Sequence, residues 1–191
     1  MGGLVRDGEK AMKKFLLFLV LGSSLGMVLN PATLRAQTPG LEGLWEGYDG
    51  EWGHVSRQLI ALAEATPADK FAWRPAPGVR STGEVYMHIA IANFYLLGVT
   101  GVKVPDLPES MEKSVTAKAD ILDWLKRSLE AVKTARAQLK PGDLQRKVKI
   151  DNKVVSVDGM YLRIIIHDNE HMGQLIAYAR MNGIVPPWSK P

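Results

Sequence analysis

The chain has 191 residues, 46% hydrophobic and 23% charged, a composition that excludes disorder and suits one domain, since a single core becomes comfortable at roughly 100 to 200 residues. It contains no cysteine, which excludes disulfides, thiolate metal ligands, a cysteine nucleophile and a lipidated cysteine. The formal charge of +4 is concentrated at the N-terminus: residues 1–36 hold five Lys/Arg and two Asp/Glu, leaving 19 basic against 18 acidic residues, so nucleic-acid binding loses its main support.

The N-terminus reads as a secretory signal. Lys13 and Lys14 form a basic start, "FLLFLVLGSSLGMVL" from Phe15 to Leu29 an apolar run, and "NPATLRA" ends in a cleavage site after Ala36. Met12 opens "MKKFLLFL", so the first eleven residues read as a misassigned start or a leader extension. The run contains Gly22 and Gly26 and ends at Asn30-Pro31, short of the roughly 20 apolar residues a membrane span needs. The expectation is a bacterial protein exported to the periplasm or exterior, with residues 1–36 removed, no membrane span left after cleavage, and residues 37–191 forming the domain.

Within that domain the first predicted helix runs from about Glu51 to Ala65, with Trp52, Val55, Leu59 and Leu62 at helical spacing and Asp49 as its cap. Pro75 and Pro77 then exclude helix. The second helix opens at Ser81 with Glu84 in capping-box spacing and carries Val85, His88, Ala92 and Tyr95 on one stripe. Gly98, Gly101 and Pro105 close it and begin a linker. A third helix lies within Ala117 to Leu139, with Ile121, Leu125, Leu129 and Val132 inward and Asp123/Arg127 paired outward. "RKVKIDNKVVSV" alternates as a short hairpin turning at Asp151-Asn152. The last helix starts near Asp158 and stops at Asn182-Gly183; it is apolar almost all round, as a helix in the middle of a bundle is. The fold class is all-α, a four-helix bundle with a short β-hairpin before the last helix.

The chain has four histidines. In "IIIHDNEHMGQL", His167 and His171 are four apart, and at about 100° per residue both aim at one point. Two neutral imidazoles suit Zn, Ni, Fe or Cu, and the geometries these ions prefer require at least one further ligand. His88, on the stripe of another helix, is the natural third. Each histidine taken alone competes with a hydrogen-bonded core role, and HxxxH is a weak pattern by itself. His54 lies beside the first helix's apolar stripe and reads as a surface residue. "HDNEH" also matches the inverted zinc-protease motif, but that class needs a downstream carboxylate ligand, and no Asp or Glu follows His171. Glu170 lies about 60° from His167 round the helix and is the candidate catalytic base, in competition with a plain salt-bridging role.

The segments "RSTGEVYMHIAIAN" and "HDNEHMGQLIAYARMNGIVPP" resemble the DinB/YfiT-like family, over the chain from about Trp52 to the C-terminus. The second match joins the histidine pair to Gly173-Gln174 and to the ending Arg180-Met181-Asn182-Gly183. The resemblance implies an up-up-down-down bundle whose divalent metal is bound by one histidine of the second helix and two of the fourth, which map onto His88, His167 and His171. Family members are usually cytoplasmic, so export puts the thiol chemistry of some relatives in doubt here.

Three protein ligands leave positions open for water or substrate, and a divalent Zn, Ni or Fe ion at such a site lowers the pKa of bound water toward neutrality. Metal-dependent hydrolysis of a small ester or amide is the leading expectation. The alternatives are metal-dependent thiol (S-) transfer and a non-catalytic metal- or ligand-binding bundle. Glu84 is a second candidate base, otherwise occupied in capping; Tyr95 and Asn93 are candidate pocket donors, and Gln174 a partner behind the ligands. The expected partner is a small-molecule substrate, and a bundle face offers a route to a homodimer.

Overall fold

The computed structural model describes residues 47–189, so the expected signal over residues 1–36 and its cleavage site lie outside the described residues. Helix α1, Tyr48–Ala65, buries Trp52, Val55, Leu59 and Leu62, the stripe that the periodicity marks. It starts three residues before the expected Glu51. Asp49 is therefore not its cap but sits in the first turn, after Gly47 at φ 74, and no side chain caps the helix. An acidic residue there still meets the positive end of the helix dipole.

Helix α2, Thr82–Val99, opens with the expected capping box: Glu84 N donates to Ser81 Oγ at 3.2 Å and Ser81 N to Glu84 Oε2 at 2.6 Å. Gly83 lies so close to its neighbours that a Cβ would meet Ile121 Cδ1 at 3.0 Å and the Phe71 carbonyl at 3.2 Å. The expected inward stripe needs correcting. Of Val85, His88, Ala92 and Tyr95 only Val85 is fully buried, and Tyr95 is 52% exposed. The core instead receives Tyr86, Met87, Ile89, Ala90, Phe94 and Leu97. Where a helix is apolar nearly all round, periodicity cannot say which side faces in; the neighbours decide.

The expected linker holds a single helical turn, α3, Met111–Ser114, anchored by buried Met111. Helix α4, Lys118–Ala137, buries Ile121, Leu125, Leu129 and Val132 and pairs Arg127 with Asp123 at 3.4 Å on its wet face. Strands β1, Lys147–Ile150, and β2, Lys153–Ser156, form the expected antiparallel hairpin, with Ile150 opposite Lys153 and the turn at Asp151-Asn152. Helix α5, Val157–Met181, is capped by Ser156 Oγ, which accepts from Gly159 N at 3.0 Å. It ends at Gly183, φ 72, where Ile184 N reaches back to the Ala179 carbonyl at 2.9 Å, a closing bond that glycine's left-handed freedom permits.

Helices α1, α2, α4 and α5 form the bundle around one core. Their directions follow from the pairs that touch. Asp49 meets Arg136 and Glu64 meets Lys126, so α1 and α4 are antiparallel. Asn93 meets Ser128 while Gly83 abuts Ile121, so α2 and α4 run parallel. Tyr178 meets the Arg80 carbonyl and Asn93 meets Asp168, so α2 and α5 are antiparallel. The order is thus up-down-down-up, not the expected up-up-down-down. Only the α2 to α4 connection has to travel the bundle's length, and α3 lies in it. Replacing a fully buried residue such as Leu97 or Leu125 by alanine removes about 2–5 kcal/mol. Among the described residues no helix is long and apolar enough to cross a membrane.

Candidate metal centre

The antiparallel seam of α2 and α5 brings His88 against His167 and His171. His88 Nε2 and His167 Nε2 are 3.2 Å apart, and the ring centroids of His171 lie 4.7 Å from His88 and 4.5 Å from His167. One nitrogen from each ring falls within 4.8 Å of the others. Two nitrogens bound to one tetrahedral ion at about 2.0–2.1 Å sit roughly 3.3 Å apart, the spacing that His88 and His167 already have, and the three rings together could hold a divalent cation. His54 is not part of the group.

The rear nitrogens agree with that use. His88 Nδ1–H donates to Glu112 Oε2 at 3.0 Å, and Glu112 is itself held by Arg80 Nε at 2.7 Å. His171 Nδ1–H donates to Gln174 Oε1 at 2.9 Å, and Gln174 Nε2 donates to Tyr178 OH at 2.8 Å. A neutral imidazole that gives its Nδ1 proton to an acceptor keeps a lone pair on Nε2, and such outer partners orient metal-ligating rings.

Electrostatics add a second condition. Burial lowers His167 to about 4, helped by its histidine neighbours, and burial followed by the nearby Arg80 guanidinium lowers His88. Both rings are therefore neutral at ordinary pH, the form a cation needs. Glu112 stays charged: burial pushes it up, but hydrogen bonds from Arg80 and His88 hold it below the usual carboxylate range.

Other predicted residues fall elsewhere. Glu84 serves its capping box and receives Arg74 at 3.2 Å. Asn93 is fully buried against Ser128 and Asp168 rather than lining a pocket. Tyr95 points outward. Glu170 lies exposed on the flank of α5, where both oxygens take Arg163 at 3.2 Å, and that pairing holds its pKa down. Sequence reasoning selected Gln174 but missed Glu112, because the turn that carries it was read as linker.

The described residues thus present a four-helix bundle with a short β-hairpin before its last helix and a three-histidine group where α2 meets α5. Residues 51–175 match the family model of the DinB superfamily. The chain belongs to the DinB superfamily. Solved structures share the DinB fold. A DinB-like protein of Bacillus cereus ATCC 10987 superposes with a TM-score of 0.66 at 23% identity, over 75% of this chain and 95% of its own. The DinB-like protein YjoA of Bacillus subtilis gives 0.56 at 18% identity, over 71% and 92%. A conserved protein of Enterococcus faecalis gives 0.54 at 18%, over 70% and 94%. No match was found among curated protein sequences.

Proposed function

We propose that this DinB-superfamily chain is an exported metal-dependent hydrolase in which His88, His167 and His171 hold one divalent cation. The observation that carries the reading is the meeting of three imidazoles whose rear nitrogens, in two cases, already donate to acceptors. A divalent ion bound there supplies Lewis acidity, lowering the pKa of a water and polarising an electrophile. The chain's part is to keep the His88 and His167 rings neutral by burial, to hold the rear nitrogens of His88 and His171 on their acceptors, and to leave the site reachable, since His88 keeps 24% of its side-chain surface.

Behind the histidines, on the side of Glu112 and Gln174 that hold their rear nitrogens, lies a groove of about 610 Å³ lined also by Arg74, Arg80 and Lys113 but by none of the three histidines. It is large enough for a small polar substrate. Arg74 and Arg80 are engaged with Glu84 and Glu112, so the groove's charge is balanced rather than strongly basic. On position alone we assign proton transfer to Glu170, one residue before His171; to act as a base its carboxylate has to release Arg163.

The test uses the mature chain purified with and without added Zn²⁺, Ni²⁺ or Fe²⁺ and a panel of small esters and amides. Turnover that needs metal and disappears in His88→Ala supports the hydrolase. Metal retention without turnover leaves a binding bundle in which the ion ties α2 to α5. Turnover only when a low-molecular-weight thiol is added points to group transfer instead. Export is checked by N-terminal sequencing of the periplasmic and secreted fractions, which on this reading begins at Gln37.

A further inference from the structure

Two of the three histidines have their rear nitrogen secured, by Glu112 and by Gln174. His167 Nδ1 has no hydrogen-bond partner although it is buried, and one other buried orphan lies beside it: Asp168 Oδ1, at 4.0 Å. Asp168 is 0% exposed. A carboxyl group in an apolar bundle core is costly unless hydrogen bonds compensate, and among the described residues no lysine or arginine lies within 4.0 Å of it. Its second oxygen is fixed nonetheless. Asn93 Nδ2 donates to Oδ2 at 3.2 Å and lies 3.4 Å from Ser128 Oγ, which donates in turn to the Leu125 carbonyl at 2.9 Å. Asn93 and Ser128 are both fully buried. The carboxyl group is thereby located by three helices, α2, α4 and α5, with one acceptor oxygen left over on the side of His167.

We infer that Asp168 is the positioning residue of the third ligand: its free oxygen accepts the Nδ1–H of His167 when the site is loaded, leaving Nε2 as the donor to the cation. The inference rests on the metal reading above. A separation of 4.0 Å exceeds a hydrogen bond by about 1 Å, so the His167 ring has to turn toward Asp168 as the site is loaded. All three ligands would then share one arrangement, a rear acceptor presented by a neighbouring side chain, and the buried Asn93-Ser128 pair would have a purpose beyond packing.

The probe is Zn²⁺, titrated by calorimetry into the chelator-treated wild type, Asp168→Ala and Asp168→Asn. Asparagine keeps an acceptor oxygen, and Asn93 can turn its amide to match. The expected result is a 10- to 100-fold weaker Kd for Asp168→Ala, the usual cost of losing an outer partner, with Asp168→Asn within about threefold of wild type on the same scale. Equal affinity for Asp168→Ala and wild type, or equal losses in both variants, overturns the positioning role. A wild type that binds no Zn²⁺ overturns the metal reading and this inference with it, whereas a binding wild type isolates the question to Asp168. Should Asp168→Ala not fold, long-range ¹H–¹⁵N correlation on the Zn²⁺-loaded wild type decides alone. A His167 Nδ1 proton protected from exchange supports the assignment, and a ring carrying its proton on Nε2 refutes it.

Discussion

Replacing Glu112 by alanine separates orientation of a ligand from support of the fold. The carboxylate takes His88 Nδ1 at 3.0 Å and Arg80 Nε at 2.7 Å, so its removal frees the His88 ring and breaks one ion pair. Arg80 keeps 41% of its side-chain surface, and an exposed pair of this kind contributes about 0.2–1 kcal/mol. With about 0.5–1.5 kcal/mol more for the lost His88 hydrogen bond, the metal-free protein should lose no more than about 5–10 °C in Tm. The metal-binding loss is separate. An outer partner of a ligating histidine is worth 10- to 100-fold in affinity, or about 1.4–2.8 kcal/mol. Glu112→Gln, which keeps an acceptor oxygen but not the charge, falls between alanine and wild type. Zn²⁺ calorimetry and metal-free thermal melts on the same preparations read the two effects separately. Wild-type affinity in Glu112→Ala, with a lowered Tm, would show that the residue is only a strut for α3.

Acidification offers another check. The His167 ring binds its proton at about 4 in the fold against about 6.5 for an ordinary histidine, so the unfolded chain takes up more protons between those values and metal-free stability from this group is lost as pH falls through that window. His167→Gln has no ring to protonate there. Its melting curve, measured in chelator, should therefore gain on the wild type from pH 6.5 downward; a constant difference would contradict the burial argument. Zn²⁺ at 100 times its Kd adds about 2.7 kcal/mol and should raise Tm by about 5–10 °C, reversed by chelator, as a scan with and without metal shows. If Glu170 transfers protons, Glu170→Gln lowers kcat by about 10²-fold or more with metal content unchanged; unchanged kcat returns the residue to its ion pair with Arg163.

Much of the bundle was legible because its cues are local. Ser81 with Glu84, the turn at Asp151-Asn152 and Gly183 each mark a boundary through nearby hydrogen bonds or a positive φ, and the α1 and α4 stripes alternate cleanly with polar residues. The histidine pair on one helix is equally local, since spacing alone makes His167 and His171 converge. What the sequence could not reveal depends on neighbours. The inward side of α2 is set by α4 and α5, and the helix directions by how the long α2 to α4 connection travels. Glu112 reaches His88 across 24 residues from a single turn too short to leave a periodic signal. Asp168 reads as one more polar residue in "HDNEH" until its complete burial and its bond to Asn93 are seen.

The central claim is that His88, His167 and His171 share one cation. Crystals of the protein grown with a single added metal, with diffraction recorded on both sides of that metal's absorption edge, test it most directly. One anomalous peak per chain is expected, bonded to one nitrogen from each of the three rings at about 2.0–2.1 Å and absent in His88→Ala. Density showing His88 and His167 bonded only to each other, with no peak between the three rings, would contradict it.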